Sequence, residues 1–313
     1  MAVSTMTAAA AGTIEDARAP KGVPVPGDPQ PVSGLLGDTP QRDYSQKLQW
    51  FNSFAEPELR RGIASLDLQP GMRVLDAGCG TGEALAWLAE ATQPGGKVVG
   101  CDLAAAHAAA ALAQVSRRTP DAPRALVLQA DLLRPPFPPA SFDLIWSVNT
   151  LNHLRDRVRG IELLSSLLRP GGRIAVGQSS LVPDMYFAWD ARLERLVNEA
   201  VRQYYRDRYR IDERGLTSVR SLVGALRQAG LRGVTARTYM IERICPLDAA
   251  TERYLSEAIF RDTWGERLRP YLPVEEYAQL IRLCDPGHPE YALRRPDFHF
   301  LQSFTLVVAQ NCS

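Results

Sequence analysis

The sequence predicts an α/β fold in which a mostly parallel sheet is covered by helices on both faces. Two observations support this prediction. Short apolar strands alternate with helical segments between residues 73 and 177, and a glycine-rich turn follows the first of these strands. Strands that are buried on both faces are apolar throughout, as expected in a parallel sheet with helices on each side.

Local signals bound each predicted element. Glycine and proline turns separate the segments, and the period of the apolar residues distinguishes helix from strand. The predicted strands are residues 73–76, 97–101, 125–129, 142–147, 173–177, 234–241 and 298–309. The predicted helices are residues 44–66, 83–92, 104–117, 184–205 and 217–229, one that ends near residue 168, and two within 248–284.

The chain is expected to consist of a tail and one domain. Residues 1–40 are rich in Ala, Gly and Pro, and six prolines interrupt any helix, which predicts a disordered tail. Residues 41–313 form the predicted domain, with aromatic-rich helical additions at 183–210 and 245–297. Two interpretations of these additions stay open: an apolar lid over a substrate, or packing on the sheet or on another subunit.

Charge and composition restrict the class of partner. The chain has 36 Lys and Arg against 35 Asp and Glu, and nucleic-acid binders are usually distinctly basic, so no nucleic acid is expected. Five cysteines without CxxC spacing indicate neither a disulfide framework nor a zinc site. No apolar run approaches the roughly 20 residues that span a bilayer. We therefore expect a cytoplasmic protein without a membrane partner.

The glycine loop is the most informative segment. Gly78, Gly80 and Gly82 follow an apolar strand and precede a helix, and glycine lets the backbone turn tightly and approach a ligand. Asp102 lies 20 residues after Gly82, at the end of the second predicted strand, where a carboxylate can accept hydrogen bonds from a ribose diol. The pattern predicts a nucleoside-type cofactor site at the carboxyl edge of the sheet.

The spacing of this loop disfavours a dinucleotide. The dinucleotide fingerprint GxGxxG requires a third glycine at position 83, which is Glu83. Asp76 lies just before the loop, where its charge would repel a pyrophosphate but would suit a cationic ligand. A sulfonium compound that also carries an ammonium group is such a ligand.

The segment Val74-Leu-Asp-Ala-Gly-Cys-Gly-Thr-Gly82 closely resembles the first motif of the class I S-adenosylmethionine-dependent methyltransferases. Four further blocks resemble that family in its own order: Gly100-Cys-Asp-Leu103, Gln129-Ala-Asp-Leu132, Ser141-Phe-Asp-Leu-Ile-Trp-Ser147 and Leu168-Arg-Pro-Gly-Gly-Arg-Ile174. The resemblance implies a Rossmann-like, seven-stranded, mostly parallel sheet whose last strand is antiparallel. It also implies S-adenosyl-L-methionine as the cofactor.

The resemblance assigns cofactor-binding roles by position. Asp76 and Gly78 would line the methionine end of the cofactor within the loop that Gly80 and Gly82 complete, and Asn149 would border the transferred methyl group. Residues of two further blocks would hold the nucleoside. Asp102 would bind the ribose, Leu103 would pack on the adenine, and Asp131, with the Leu132 backbone, would meet the adenine amino group. Both leucines could instead be ordinary core residues.

His153, just past the fourth predicted strand, is the candidate catalytic base, because an oxygen or carbon nucleophile can require one. Relatives share the element His153-Leu-Arg-Asp156 whatever their substrate, so a structural role stays open. His299 is a second candidate, with packing as the alternative, and His107 is expected to be solvated. No metal site is expected, since no oxygen-ligand cluster follows the fourth strand.

The predicted activity is methyl transfer to an O, N or C atom of a small organic molecule. The Ala- and Arg-rich composition is compatible with a GC-rich genome and with bacterial secondary metabolism. The chain has Ser147-Val-Asn-Thr150 where nucleic-acid amino-methyltransferases carry Asn/Asp-Pro-Pro-aromatic. Alternatives are a protein or nucleic-acid substrate, or a cofactor-binding module without turnover. A homo-oligomer is compatible with either reading of the aromatic helices.

Overall fold

The computed structural model describes residues 44–118, 125–179, 185–187, 189–209 and 218–312. The predicted disordered tail at residues 1–40 lies outside this part of the chain. In it the sheet contains eight strands: β1 Arg73–Ala77, β2 Lys97–Asp102, β3 Ala125–Gln129, β4 Phe142–Val148, β5 Leu168–Ser179, β6 Tyr186–Phe187, β7 Arg232–Ile244 and β8 His299–Gln310.

The strand order is β3-β2-β1-β4-β5-β8, and β7 lies on the far side of β8. Strands β1 to β5 are parallel, whereas β8 runs antiparallel to both β5 and β7. The predicted fold class, with its antiparallel last strand, is thereby confirmed. The strand beyond the expected seven is β6, which pairs with Phe300 and Leu301 at the start of β8.

The helices flank this sheet on both faces. They are α1 Ser45–Ala64, α2 Glu83–Ala91, α3 Ala105–Arg118, α4 Arg157–Ser165, α5 Ala191–Tyr209, α6 Ser218–Gln228, α7 Ala249–Arg253 and α8 Val274–Cys284. The helix α7 continues as a π-helix, Tyr254–Trp264, and short 3₁₀ turns cover Leu151–His153, Gly265–Arg267, Arg269–Tyr271 and Ala292–Arg294. None of the helices in the described residues has the length and apolar composition needed to cross a membrane.

Two apolar cores lie on opposite faces of the sheet, and β1 shows how the sequence builds both. Val74 and Leu75 are each 0% exposed but point to different cores, because successive side chains of a strand alternate in direction. Val74 packs with side chains of α1 and α2, and Leu75 packs with those of α4 and α6. A strand covered on both sides buries apolar side chains on both of its faces, as the alternation of strands and helices in the sequence predicted.

The helix predicted at residues 184–205 is wrong at its start. Tyr186 and Phe187 form β6 instead, and α5 begins only at Ala191. The side chain of Asp190 accepts hydrogen bonds from the N–H groups of Arg192 and Leu193, at 2.8 and 2.9 Å, and so caps the helix there. The pairing of β6 with β8 depends on residues more than 100 positions away, which the local pattern did not contain.

A buried ion pair fastens α1 to the edge strand β7. The Glu58 carboxylate is 3% exposed and accepts hydrogen bonds from both terminal nitrogens of Arg243, at 3.2 and 3.0 Å. The Arg243 guanidinium also donates to the Phe54 carbonyl at 2.6 Å and lies 4.9 Å from the centre of the Phe54 ring. Because α1 also reaches the glycine loop, this pair helps to set where that helix lies.

We predict that Arg243→Met lowers the free energy of unfolding by about 2 kcal/mol, because the buried Glu58 carboxylate loses two charged hydrogen bonds and keeps the exposed Arg61 as a partner. Denaturant unfolding would measure the change. Arg269→Met is the matched control, since Arg269 pairs with Glu266 in solvent and its loss should cost no more than about 0.5 kcal/mol. Equal losses in the two variants would contradict a structural role for the buried pair.

Candidate active site

The glycine loop follows β1 at the carboxyl edge of the sheet. Gly78, Gly80 and Gly82 have φ values of +83°, +52° and +86°, in the left-handed region that glycine adopts readily. A Cβ atom at Gly78 would lie 2.2 Å from the Thr150 Oγ1 atom, and one at Gly82 would lie 2.7 Å from the Ala111 Cα atom. The first and third glycines are therefore required by the close approach of β4's end and of α3.

The middle glycine faces the N-terminal helix. A Cβ atom at Gly80 would lie 3.4 Å from the Leu48 side chain of α1. The same helix contacts the start of α2, since the Asn52 side chain donates to the Glu83 carboxylate at 2.8 Å. Helix α1 consequently runs across the loop.

Asp76 is a buried acid without a compensating partner. Its side chain is 2% exposed, and its Oδ2 atom has no hydrogen-bond partner among the described residues. Burial, and then the charges of Asp102 and Glu83, raise the pKa of Asp76 to about 8. A cationic group placed beside this carboxylate would remove the penalty, so the residue fits the cationic ligand that the sequence predicted.

Asp102, at the end of β2, has a fixed carboxylate. Its Oδ2 atom accepts the Gly80 N–H at 3.0 Å, and its Oδ1 atom accepts the Ala104 N–H at 3.0 Å. The His107 Nδ1 atom lies 3.3 Å from the same Oδ1 atom. Since a carboxylate has about four acceptor positions, this arrangement orients Asp102 and still leaves about one position for a ligand's hydroxyl group.

His107 was expected to be solvated, and that expectation is wrong. The residue is 5% exposed, because α3 directs it inward toward Asp102 and the start of α1. The alanines around His107 suggested a helix that faces solvent. In the structure their small side chains instead let α3 approach the glycine loop closely. Ala111, for example, is 0% exposed and packs against Gly82.

The residues assigned to the adenine follow β2 and β3. The Asp131 Oδ1 atom accepts the Leu133 N–H at 2.9 Å, so part of this carboxylate stabilises its own turn. Leu132 is 7% exposed, and the half-buried Leu103 packs against the same apolar core. The Ala130 N–H donates to the Asp102 carbonyl at 2.9 Å and brings the two segments together. The adenine roles stay predictions.

Asn149 joins the carboxyl ends of β4 and β5. It has a φ of +55°, its N–H donates to the Gly177 carbonyl at 2.9 Å, and its Oδ1 atom accepts the Ser179 N–H at 2.8 Å. The adjacent Thr150 hydroxyl donates to the Val148 carbonyl at 3.1 Å and contacts Gly78. Asn149 thus lies at the predicted edge, although its oxygen is engaged within the protein.

His153 ends the 3₁₀ turn that follows β4 and is half-buried. Burial lowers its pKa; the negative charge of Asp102 opposes this shift, and His107 adds to it. A neutral imidazole in this position can accept a proton. Asp156, the last residue of the element His153-Leu-Arg-Asp156, accepts the Arg159 N–H at 2.9 Å and caps α4, which is a structural role.

His299, the second histidine candidate, lies on the surface. Its Nε2 atom is 2.8 Å from the Glu242 carboxylate of β7, and both side chains are exposed to solvent. Among the described residues, no group of three or more His, Cys, Asp and Glu side chains is arranged to hold a metal ion.

The aromatic additions form a packed cluster beside β8. The rings of Phe187, Trp189, Phe260 and Trp264 contact one another with centroids 4.6 to 6.2 Å apart. Trp264 is 1% exposed, so these rings belong to the core as much as to any lid. The packing interpretation therefore accounts for most of the aromatic residues.

One polar contact connects this insertion with α1. The Lys47 ammonium donates to the Thr263 hydroxyl at 2.6 Å, at the end of the π-helix. Burial lowers the pKa of Lys47 to about 8; Arg267 adds to the shift and Asp262 opposes it. The sequence interpretation missed Lys47, Thr150 and His107, because one contact of each, to Thr263, Gly78 and Tyr44 respectively, joins segments more than 60 residues apart.

The sheet order, the glycine loop and the fixed Asp102 carboxylate have the arrangement that the sequence predicted for a nucleoside-type site in an α/β domain. Residues 74–172 match a protein family described as a methyltransferase domain. The 27-O-demethylrifamycin SV methyltransferase of Amycolatopsis mediterranei is 36% identical over 118 residues, 38% of this chain and 42% of that protein. The nocamycin O-methyltransferase of Saccharothrix syringae is 35% identical over 123 residues, 39% of this chain and 43% of that protein.

The chain thus spans less than half the length of these two curated relatives. The crystal structure of the YcgJ protein from Bacillus subtilis has a TM-score of 0.51 with this chain at 15% sequence identity. The match covers 82% of this chain and 99% of that one, and it supports the fold alone. The family match covers most of the segment that carries the ordered motifs, so the resemblance to the class I S-adenosylmethionine-dependent methyltransferases is confirmed there.

The clash at Gly78 generates a prediction. Gly78→Ala should lower both the melting temperature and the affinity for S-adenosylhomocysteine, because its Cβ atom would overlap Thr150. Gly71→Ala is the matched control: Gly71 has the same φ of +83°, and a Cβ atom there would have no neighbour within 4 Å. We expect about 1–2 kcal/mol of strain in the control and at least about 2 kcal/mol more in Gly78→Ala. Similar losses would show that only backbone strain matters.

Proposed function

We propose that this protein binds S-adenosyl-L-methionine and transfers its methyl group to an O, N or C atom of a small organic molecule. The observation that best supports the proposal is the buried Asp76 carboxylate, whose Oδ2 atom has no hydrogen-bond partner among the described residues and which lies beside the glycine loop. A buried, unpaired carboxylate is costly, and a cationic ligand that pairs with it recovers that cost.

The residues present fit the proposed cofactor. Asp76 would neutralise positive charge at the methionine end, and the carboxylate of Asp102, held by the Gly80 and Ala104 N–H groups, would accept the ribose hydroxyls. Leu103 and Leu132, with Asp131, would hold the adenine. When bound, the cofactor supplies a methyl group on a sulfonium, which is a good leaving group.

The protein's own contribution is to position the acceptor and to manage its proton. Because holding two reacting groups in line can supply much of the rate, the ends of β4 and β5, tied together by Asn149, would form a fixed floor for the acceptor. His153, whose pKa burial lowers, would take the proton from an oxygen or carbon acceptor.

A small-molecule substrate is supported by the named relatives. Both curated relatives described above are named for the methylation of an individual compound, 27-O-demethylrifamycin SV in one case and nocamycin in the other. The net charge of +1 gives no support to a nucleic-acid substrate. We extend the proposal to bacterial secondary metabolism, with the segments 183–210 and 245–297 contributing to substrate recognition. Cytoplasmic location and self-association stay predictions.

Calorimetric titration with S-adenosylhomocysteine tests the cofactor. The native protein should bind it, and Asp102→Ala should bind at least about tenfold more weakly, because a charged hydrogen-bond acceptor contributes about 1.5–3 kcal/mol. Asp297→Ala is the control, since Asp297 pairs with Arg295 on the surface. Absence of binding to the native protein would refute the proposed cofactor; binding without a methylated product from any acceptor would favour a module without turnover.

We predict that Asp76→Asn raises the free energy of unfolding at high pH but weakens the binding of S-adenosylhomocysteine. Its pKa is raised from 3.8 to about 8 in the folded protein, so the folded state holds its proton more tightly than the unfolded state in that range. The native free energy of unfolding should therefore fall, relative to Asp76→Asn, as the pH rises from about 4 to about 8, and then level off. Above pH 8 the variant should be more stable by about 1–3 kcal/mol.

The same Asp76→Asn variant should bind S-adenosylhomocysteine more weakly, because it lacks the charge that pairs with the ligand's ammonium group. Denaturant unfolding at several pH values and calorimetry measure the two effects. Asp67→Asn provides the matched control, since Asp67 is exposed and its φ of +48° suits asparagine. If Asp76→Asn has the same pH profile as the native protein, the carboxylate is not the buried, uncompensated acid described above.

A further inference from the structure

We propose that His107 is a positioning residue that couples the orientation of the ribose-binding acid Asp102 to the closure of α1 over the glycine loop. The inference rests on the proposed function, because it takes Asp102 to bind the cofactor's ribose. His107 lies on α3, is 5% exposed, and contacts both partners through its two ring nitrogens.

The first contact fixes the tautomer of the ring. The Tyr44 N–H lies 3.3 Å from the His107 Nε2 atom, and a backbone N–H can only donate, so Nε2 accepts this hydrogen bond. The ring proton of the neutral imidazole must then be on Nδ1. That atom is 3.3 Å from the Asp102 Oδ1 atom, which can only accept when the carboxylate is ionised.

The second contact gives Asp102 a side-chain donor. Backbone N–H groups of Gly80 and Ala104 hold one oxygen each, and among the described residues His107 provides the one side chain hydrogen-bonded to this carboxylate. The bond resists rotation of the carboxylate about its last side-chain torsion. A pre-oriented acceptor loses less entropy when it binds the ribose hydroxyls.

The hydrogen bond from the Tyr44 N–H to His107 connects the His107–Asp102 pair with α1. N–H groups at a helix start have no partner within the helix, so His107 satisfies a donor at the first turn of α1. Leu48, one turn further along, covers Gly80, and Asn52 bonds to Glu83. One imidazole therefore connects the acid at the end of β2 with the helix that lies over the loop.

Two amide variants separate the two contacts. The amide of Asn reaches about as far as Nδ1, whereas that of Gln reaches about as far as Nε2. His107→Asn should keep a donor for Asp102 but lose the acceptor for Tyr44. His107→Gln should keep the acceptor for Tyr44 but lose the donor for Asp102. Ser116→Ala, on the exposed side of α3 and bonded only to the Leu112 carbonyl, is the control.

Two measurements are made on each variant of the full chain: the affinity for S-adenosylhomocysteine by calorimetry, and hydrogen exchange of the Tyr44 to Leu48 amides. We expect His107→Gln to weaken binding about three- to tenfold with exchange unchanged, since one hydrogen bond is lost. We expect His107→Asn to bind within about twofold of native while its amides exchange about three- to tenfold faster.

The outcomes are distinguishable from failure of the proposed function. If the native protein does not bind S-adenosylhomocysteine, the proposed cofactor is wrong and the inference falls with it. If the native protein binds, but both variants behave like Ser116→Ala, or each changes both measurements equally, His107 does not position Asp102 and α1 separately and the inference is overturned. His107→Gln and His107→Asn should also keep the native circular dichroism; global unfolding of both would overturn it in favour of a purely structural histidine.

Discussion

The rest of the site depends on a cluster of acidic side chains at the carboxyl edge of the sheet. Asp76 is the buried residue before the last of β1, Asp102 ends β2, and Glu83 begins α2. The Oδ2 atom of Asp76 has no hydrogen-bond partner among the described residues. Burial and mutual repulsion raise the pKa of Asp76 to about 8. The uncompensated carboxylate lowers the free energy of unfolding of the free protein. A cationic ligand beside it would offset that loss.

The remaining geometry of the site follows from how closely the loop must approach its neighbours. Gly78 leaves space for Thr150 after β4, and Gly82 leaves space for Ala111 of α3, so the loop is fixed from two sides. The third side is α1, which Glu58 and Arg243 fasten to β7. The carboxyl edge of the sheet is consequently shaped by helices and strands from distant parts of the chain, rather than by the loop alone.

Much of the fold could be predicted because its signals are local. Apolar strands, glycine turns and the ordered motifs lie close together between residues 72 and 178, and the mostly parallel sheet and the loop followed from them. The start of α5 could not be predicted, since β6 pairs with the distant β8. The contacts of His107 were also missed, because its alanine neighbours resemble a solvent-facing helix until α3 is placed against Asp102.

The sequence by itself determined the α/β class, the glycine loop with its acid, and the resemblance to a methyltransferase family, because each depends on residue types at fixed spacing along the backbone. Only the tertiary structure decided that Asp76 is unpaired, that His107 is buried, and that α1 covers Gly80 through Leu48. These properties depend on contacts between segments far apart in the chain, and on the removal of water from charged groups. The spacing of residues along the sequence predicts neither these contacts nor which charged groups lose their water.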